Sequence, residues 1–170
     1  MKSNENNFKE FKTKLHSQDL AQITDAIEYI RNNGTPEILE VIFDFLVLNK
    51  DIAVKNKILA CISDIKDKNS VPFLISALSV ASYKSIKKDI LNAFWQTSLD
   101  FSAYSEIFVD ILIHEDFEVA LEALTILEII LESSEDIDKD AISKRISAEV
   151  EKNISPKKDL LLETIKILDI

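Results

Sequence analysis

The chain has 170 residues, and its 30 acidic residues against 20 lysines and arginines give a formal net charge of -10. This balance argues against a nucleic-acid backbone as the partner, because affinity for phosphates depends on Lys and Arg. Gly34 is the single glycine, where average usage would supply about twelve, so the composition excludes the glycine-rich loops of P-loop and Rossmann proteins.

The leading segment, residues 1–16, is predicted to form a short helix. Phe8, Phe11 and Leu15 are spaced so that they make one apolar stripe on that helix. A stack of repeats must cover its terminal apolar faces. We therefore expect this helix to serve as an N-terminal cap.

The next helix is predicted to run from Ser17, as N-cap, to about Asn32. Gly34 would follow in the left-handed conformation that commonly ends a helix. Pro36 then fits the first turn of another helix, where its missing N–H group costs nothing. The remaining helices are predicted at about 51–66, 70–80, 83–98, 103–114, 116–133, 138–153 and from 155 onward.

The helical segments repeat. Residues 51–65 align with residues 83–97 at an offset of 32, and the same columns continue 33 residues later and, more weakly, 32 residues earlier. Four columns are hydrophobic in all four copies: Ala26, Ile58, Ile90 and Ala123; Ile27, Leu59, Leu91 and Leu124; Tyr29, Cys61, Ala93 and Ile126; and Ile30, Ile62, Phe94 and Leu127. Such periodicity is the signature of a repeat architecture.

The motif D-x-x-V-x-x-x-I-L-x-x-I at 51–62, followed by S-V-P-F-L-I-S-A-L at 70–78, resembles the HEAT-repeat family in its short bacterial form. The resemblance implies an all-α fold, an α-α superhelix (right-handed α-solenoid) of four to five helical pairs. The expected parts are a capping helix, 1–16, and one domain, 17–170, with repeats 17–49, 50–81, 82–114 and 115–153 and a terminal helix, 155–170.

Family geometry places the second helix of each pair on the concave face. Outward positions of these helices are acidic in the first and third pairs and neutral in the second: Glu37, Glu40 and Asp44, then Ser76 and Ser79, then Glu106 and Asp110. An acidic groove of this kind favours a basic or amphipathic protein segment. We therefore predict a non-catalytic protein-binding module or scaffold, without a cofactor.

Trp95 stands in a repeat column whose other members, Arg31, Ser63 and Glu128, are polar. Two interpretations are open. Trp95 is an exposed interface anchor, as large aromatic residues often are, or it covers the seam between neighbouring repeats.

Two further chemistries compete with protein binding. A lysine face, Lys55, Lys84, Lys87 and Lys88, resembles the rows with which HEAT-like DNA glycosylases grip DNA, although Asp89 interrupts it. His114-Glu115 is similar to the iron-binding pairs of HEAT-like deoxyhypusine hydroxylases. Only two histidines are present in the chain, however, and a histidine at a helix end commonly meets the last carbonyls.

Asp136, Asp138 and Asp140 match the first ligands of an EF-hand, but Ala141 and Ser147 replace the Gly and Glu that such a loop needs. An acidic turn with Asp138 as N-cap explains the run more simply. We predict no metal site here.

The sequence has no apolar leader and no membrane-length apolar run, and its single cysteine, Cys61, lies among core-type residues. A reducing cytoplasm is the expected location. The last helix, 155–170, is apolar over most of its circumference. It either packs against the preceding pair or pairs with a second copy, which would make a homo-oligomer.

Overall fold

The computed structural model describes residues 2–17, 19–32, 35–134 and 136–169, and over these residues the chain is all-α, with no strand. Short 3-10 segments lie at Lys68–Ser70, Ala81–Ile86 and Ser102–Tyr104. The ten α-helices of the described residues are α1 (Lys2–Leu15), α2 (Leu20–Asn32), α3 (Pro36–Leu48), α4 (Ile52–Ser63), α5 (Val71–Ala77), α6 (Lys87–Trp95), α7 (Ser105–His114), α8 (Phe117–Ser133), α9 (Lys139–Val150) and α10 (Lys157–Leu168).

Three predicted aspartate caps are confirmed. Oδ1 of Asp51 accepts hydrogen bonds from the amides of Ala53 and Val54, at 2.8 and 3.2 Å. Asp116 and Asp138 cap α8 and α9 in the same way. Each carboxylate satisfies amide groups that a helix start leaves without an intrahelical partner.

The predicted cap at Ser17 is wrong by two residues. The helix begins at Leu20, and Oδ1 of Asp19 accepts the amide of Ala21 at 2.9 Å. The Ser17 hydroxyl instead accepts the amide of Asp19 at 3.0 Å and so forms the turn that precedes the helix. The role predicted for Gly34 lies outside the described residues.

Other helix bounds also differ from the prediction. Helix α4 ends at Ser63, near the start of the polar run that links it to α5. The helices predicted to begin at residues 83 and 103 each open with a 3-10 segment, and their α-helical parts begin at Lys87 and Ser105. Tighter turns of this kind are common at helix starts and in connections.

The chain divides into two compact units, Met1–Leu99 and Asp100–Ile170. In the first unit α1 packs on α2, α2 on α4, and α4 on α6, while α3 packs against the segment Ala81–Ile86. The predicted division into a capping helix and one repeat domain stays a prediction.

Burial follows the repeat columns. Of the sixteen residues in the four hydrophobic columns, fourteen are buried, and Tyr29 and Leu59 are half-buried. The first copy departs at Gln22, which is exposed where Val54, Ile86 and Val119 are buried. The apolar spacing in the sequence therefore marks the core face of each first helix.

In the second unit α7 packs on α8 and α9, and α10 packs on α9 and α8. Helix α10 thereby buries Leu160, Leu161, Thr164 and Leu168. The packing of α10 against the preceding helices is therefore confirmed, and its pairing with a second copy stays a prediction.

Lys157, at the start of α10, is buried, and its Nζ donates a 2.7 Å hydrogen bond to the carbonyl oxygen of Glu115. Burial lowers the pKa of this ammonium group, and the nearby charges of Asp116 and Glu115 oppose that change. The contact ties α10 to the end of α7.

Candidate protein-interaction surface

Three carboxylates, Glu37, Glu40 and Asp44, form an exposed row along α3, which we term the acid stripe. Residues three and four positions apart lie on one face of a helix. The opposite face of α3 is apolar and buried, so the burial of that side turns the carboxylates outward: Ile38, Leu39, Ile42, Phe43, Phe45 and Leu46.

Glu37 lies in the first turn of α3. A hydrogen bond from its own backbone amide, and a second from the Thr35 side chain, lower the pKa of its carboxyl group. Amide groups without intrahelical partners at a helix start favour a negative charge in this way. Glu37 therefore keeps its negative charge to a lower pH than an ordinary glutamate does.

Asp44 is the member of the acid stripe that is tied to the core. The hydroxyl group of Tyr83 donates a 3.0 Å hydrogen bond to Oδ1 of Asp44. The Tyr83 ring is buried against Phe43, with a ring-centroid distance of 5.6 Å. Burial first, and then the hydrogen bond and the charges of Asp44 and Glu40, raise the pKa of Tyr83 to about 12.

Within the described part of the chain, no lysine or arginine makes an ion pair with the acid stripe. Glu106 and Asp110 of the second unit differ in this respect. Arg145 of α9 pairs with Glu106 and, at 2.5 Å, with Asp110 on α7. Of the two predicted acidic clusters, the one on α3 is the one that keeps its charge uncompensated.

The neutral middle of the predicted groove, Ser76 and Ser79, is exposed. The Ser76 hydroxyl donates to the carbonyl oxygen of Phe73 at 2.7 Å. Ser76 and Ser79 are therefore uncharged surface residues.

Trp95 is half-buried at the end of α6. In the neighbouring copy, the hydroxyl of Ser63 on α4 donates to the carbonyl oxygen of Ala93 at 3.4 Å. The end of α6 therefore lies against α4. Both interpretations of Trp95 stay predictions, since its side chain is partly buried and partly exposed.

The lysine face is partly neutralised. Nζ of Lys55 lies 2.5 Å from Oδ2 of Asp89, so the interrupting aspartate binds a lysine of the preceding copy. Lys84 and Lys88 are exposed, and Lys87 is half-buried. The nucleic-acid alternative built on these four lysines stays a prediction.

The residues of the predicted chemistries serve the fold. Nδ1 of His114 lies 2.9 Å from the carbonyl oxygen of Asp110, which is the predicted helix-end contact. Asp138 caps α9, and Cys61 is buried with its thiol 3.7 Å from the carbonyl oxygen of Ile27. Among the residues that the structure describes, no three His, Cys, Asp or Glu side chains are placed to hold a metal ion.

A cleft of about 220 Å³ lies between α1 and α2, beside Phe11 and Tyr29. Lys14 lines it, with Nζ 3.0 Å from Glu10 and 3.5 Å from Asp25. The cleft is smaller than typical ligand pockets of about 300–1,000 Å³. Its charges are satisfied within the chain.

Sequence reasoning missed Tyr83 and Arg145, the two residues that fix the predicted acidic positions. Tyr83 is the one aromatic residue in a serine-rich connection, which is a weak signal for a buried anchor. Arg145 is one of only two arginines. Nothing in the local pattern indicates its partners, which lie 35 and 39 residues away.

The chain matches no protein-family model, no curated protein and no solved structure. No helix in the described ranges has the length and apolar character that crossing a bilayer requires.

Proposed function

We propose that this protein is a non-catalytic interaction module that binds a basic or amphipathic protein segment on the acid stripe. The observation that carries the proposal is the contrast between two acidic clusters. Arg145 pairs with both Glu106 and Asp110 and so offsets one of their two negative charges. Glu37 and Glu40 are exposed side by side with Asp44, and no described cation compensates them.

The proposed scaffold is a short α-solenoid of the HEAT type, in the cytoplasm. Its support is the stacking of alternate helices inside each unit, α2 on α4 on α6 in the first, and α7 on α9 and α8 on α10 in the second. Burial at a spacing of 32 to 33 residues also supports it. Repeat scaffolds of this kind expose extended binding surfaces.

The mechanism is rigid presentation of charge. Like charges that protrude on one side of a helix attract a basic segment and raise the rate of encounter, more strongly at low ionic strength. Tyr83 holds Asp44 in place, so the bound segment meets a preformed arrangement of carboxylates. Preformed sites bind more tightly because less ordering occurs on association.

Capture from a lysate of the native cell, analysed by mass spectrometry, tests the proposal. The test variant is Glu37→Gln/Glu40→Gln/Asp44→Asn, which removes three charges and keeps an acceptor for Tyr83. The control variant is Glu106→Gln/Asp110→Asn, which removes two acids that already pair with Arg145. We expect the first variant to lose basic partners and the second to retain them. The opposite result would assign the site to α7 and contradict the proposal.

A further inference from the structure

Two large apolar side chains that follow the acid stripe along the chain are largely exposed. Leu48, the last residue of α3, is 75% exposed, and Ile52, the first residue of α4, is 72% exposed. We term this pair the apolar edge. Single exposed apolar residues are ordinary. Here two of them flank one three-residue connection, residues 49–51, between α3 and α4.

The connection that carries the apolar edge is held by hydrogen bonds along its length. The amide of Asn49 donates to the carbonyl oxygen of Phe45 at 2.8 Å, and the amide of Asp51 donates to Oδ1 of Asn49 at 2.8 Å. Asp51 in turn caps α4. The two side chains therefore project from a fixed backbone and not from a loose loop.

The apolar edge continues the acid stripe. Asp44 and Leu48 are four residues apart on α3, so they are neighbours on one helix face. Along this face, from the start of α3 to its end, three carboxylates are followed by the apolar side chain of Leu48. Leu48 follows Glu37 by eleven positions, which corresponds to about 16 Å, or three helical turns.

We propose that the acid stripe and the apolar edge together bind one amphipathic helix of a protein partner, with basic residues over Glu37, Glu40 and Asp44 and apolar residues over Leu48 and Ile52. The proposal rests on the proposed function and adds the order in which the partner's groups are arranged. Charge complementarity selects the occupant, because the acid stripe repels an anionic lipid surface and attracts a basic helix.

Two synthetic peptides of identical composition test the order. Both are helical 14-residue peptides with three lysines and two leucines. In the first, the lysines and then the leucines follow one another along a single face. In the second, the leucines are moved to the opposite face. Affinity is measured by fluorescence anisotropy with labelled peptides.

We expect the first peptide to bind the wild-type protein with an affinity at least about tenfold higher than that of the second, since buried apolar anchors dominate interface energies. Leu48→Gln/Ile52→Gln should abolish that preference. Because both side chains are exposed, circular dichroism should show an unchanged fold. Ile154→Gln is the matched control, as Ile154 is 84% exposed in the second unit, and it should keep the preference.

Three results would overturn the inference, and they are distinguishable. If both peptides bind equally and charge removal at the acid stripe weakens both, the stated order is wrong while the proposed function stands. If neither peptide binds, the proposed function fails with it. If light scattering detects a dimer that Leu48→Gln/Ile52→Gln converts to a monomer, the apolar edge is covered by a second copy of this chain.

Discussion

The hydroxyl group of Tyr83 donates a 3.0 Å hydrogen bond to Oδ1 of Asp44, although the two residues lie 39 positions apart. This contact joins the surface to the core, since the Tyr83 ring is buried and Asp44 is exposed. The geometry of the acid stripe therefore depends on the packing of the connection Ala81–Ile86 against α3.

Tyr83→Phe should lower the free energy of unfolding of the first unit by about 0.5–1.5 kcal/mol at neutral pH, the typical net value of one hydrogen bond. Asp44 is exposed and can exchange the lost donor for water, so a larger loss is not expected. Urea unfolding followed by Trp95 fluorescence measures this change. A loss of several kcal/mol would mean that the hydroxyl group has another buried role.

The raised pKa of Tyr83 predicts that the stability of the folded protein decreases at alkaline pH. The pKa of Tyr83 is raised to about 12 in the folded protein, whereas an unfolded tyrosine titrates near 10. The folded state therefore holds its proton longer, and the stabilisation is complete below about pH 10 and is lost between about pH 10 and 12. The tyrosinate absorbance of the wild type minus that of Tyr83→Phe should have its midpoint near 12. A midpoint near 10 would contradict the buried, hydrogen-bonded phenol.

Local signals in the sequence predicted much of the helical fold and the exposure of the acidic residues on α3 and α7. The caps at Asp51, Asp116 and Asp138 were predictable because an N-cap bonds only to amides two or three residues away. Ser17 failed as a cap because Asp19, two residues later, competes for the same role. The partners of Tyr83 and Arg145 depend on packing between distant helices, which no local pattern reports.

Ile58→Ala should destabilise the first unit by about 2–5 kcal/mol, because Ile58 is fully buried in a repeat column and truncation leaves a cavity. Asn56→Ala, on the exposed side of the same helix, is the matched control and should stay within about 0.5 kcal/mol of the wild type. Urea unfolding of both variants makes the comparison. Equal losses would show that the apolar column does not mark the core.

Asp51→Ala should cost about 0.5–2 kcal/mol, since it removes the carboxylate that accepts the amides of Ala53 and Val54. Asp51→Ser keeps a capping oxygen and should recover most of that loss. Asp51→Ala also removes a hydrogen-bonded contact from the connection that carries the apolar edge. We therefore expect peptide affinity to fall together with stability in this variant. Unchanged affinity in Asp51→Ala would indicate that the fixed connection is not needed for binding.

Arg145→Gln should change the stability of the second unit by no more than about 1 kcal/mol, because exposed ion pairs contribute little and are screened by salt. The difference from the wild type should shrink as sodium chloride rises, measured by circular dichroism during urea unfolding. Release of Glu106 and Asp110 should also increase the capture of basic peptides. If capture stays constant while the fold is intact, the acidic pair on α7 does not attract basic segments.

Trp95 offers a test that separates its two interpretations. The carbonyl oxygen of Ala93, two residues before Trp95, accepts a hydrogen bond from the Ser63 hydroxyl on α4, in the preceding repeat. The Trp95 side chain is itself half-buried. If Trp95 covers the seam, Trp95→Ala should lower the stability of the first unit by about 1–2 kcal/mol through lost apolar burial, and leave the affinity for the basic peptide unchanged. Trp95→Phe should recover part of the stability, because the smaller ring still covers apolar surface.

Circular dichroism during urea unfolding measures the stability of these variants, and peptide titration measures their affinity. A tenfold loss of affinity at unchanged stability would identify Trp95 as an interface anchor instead.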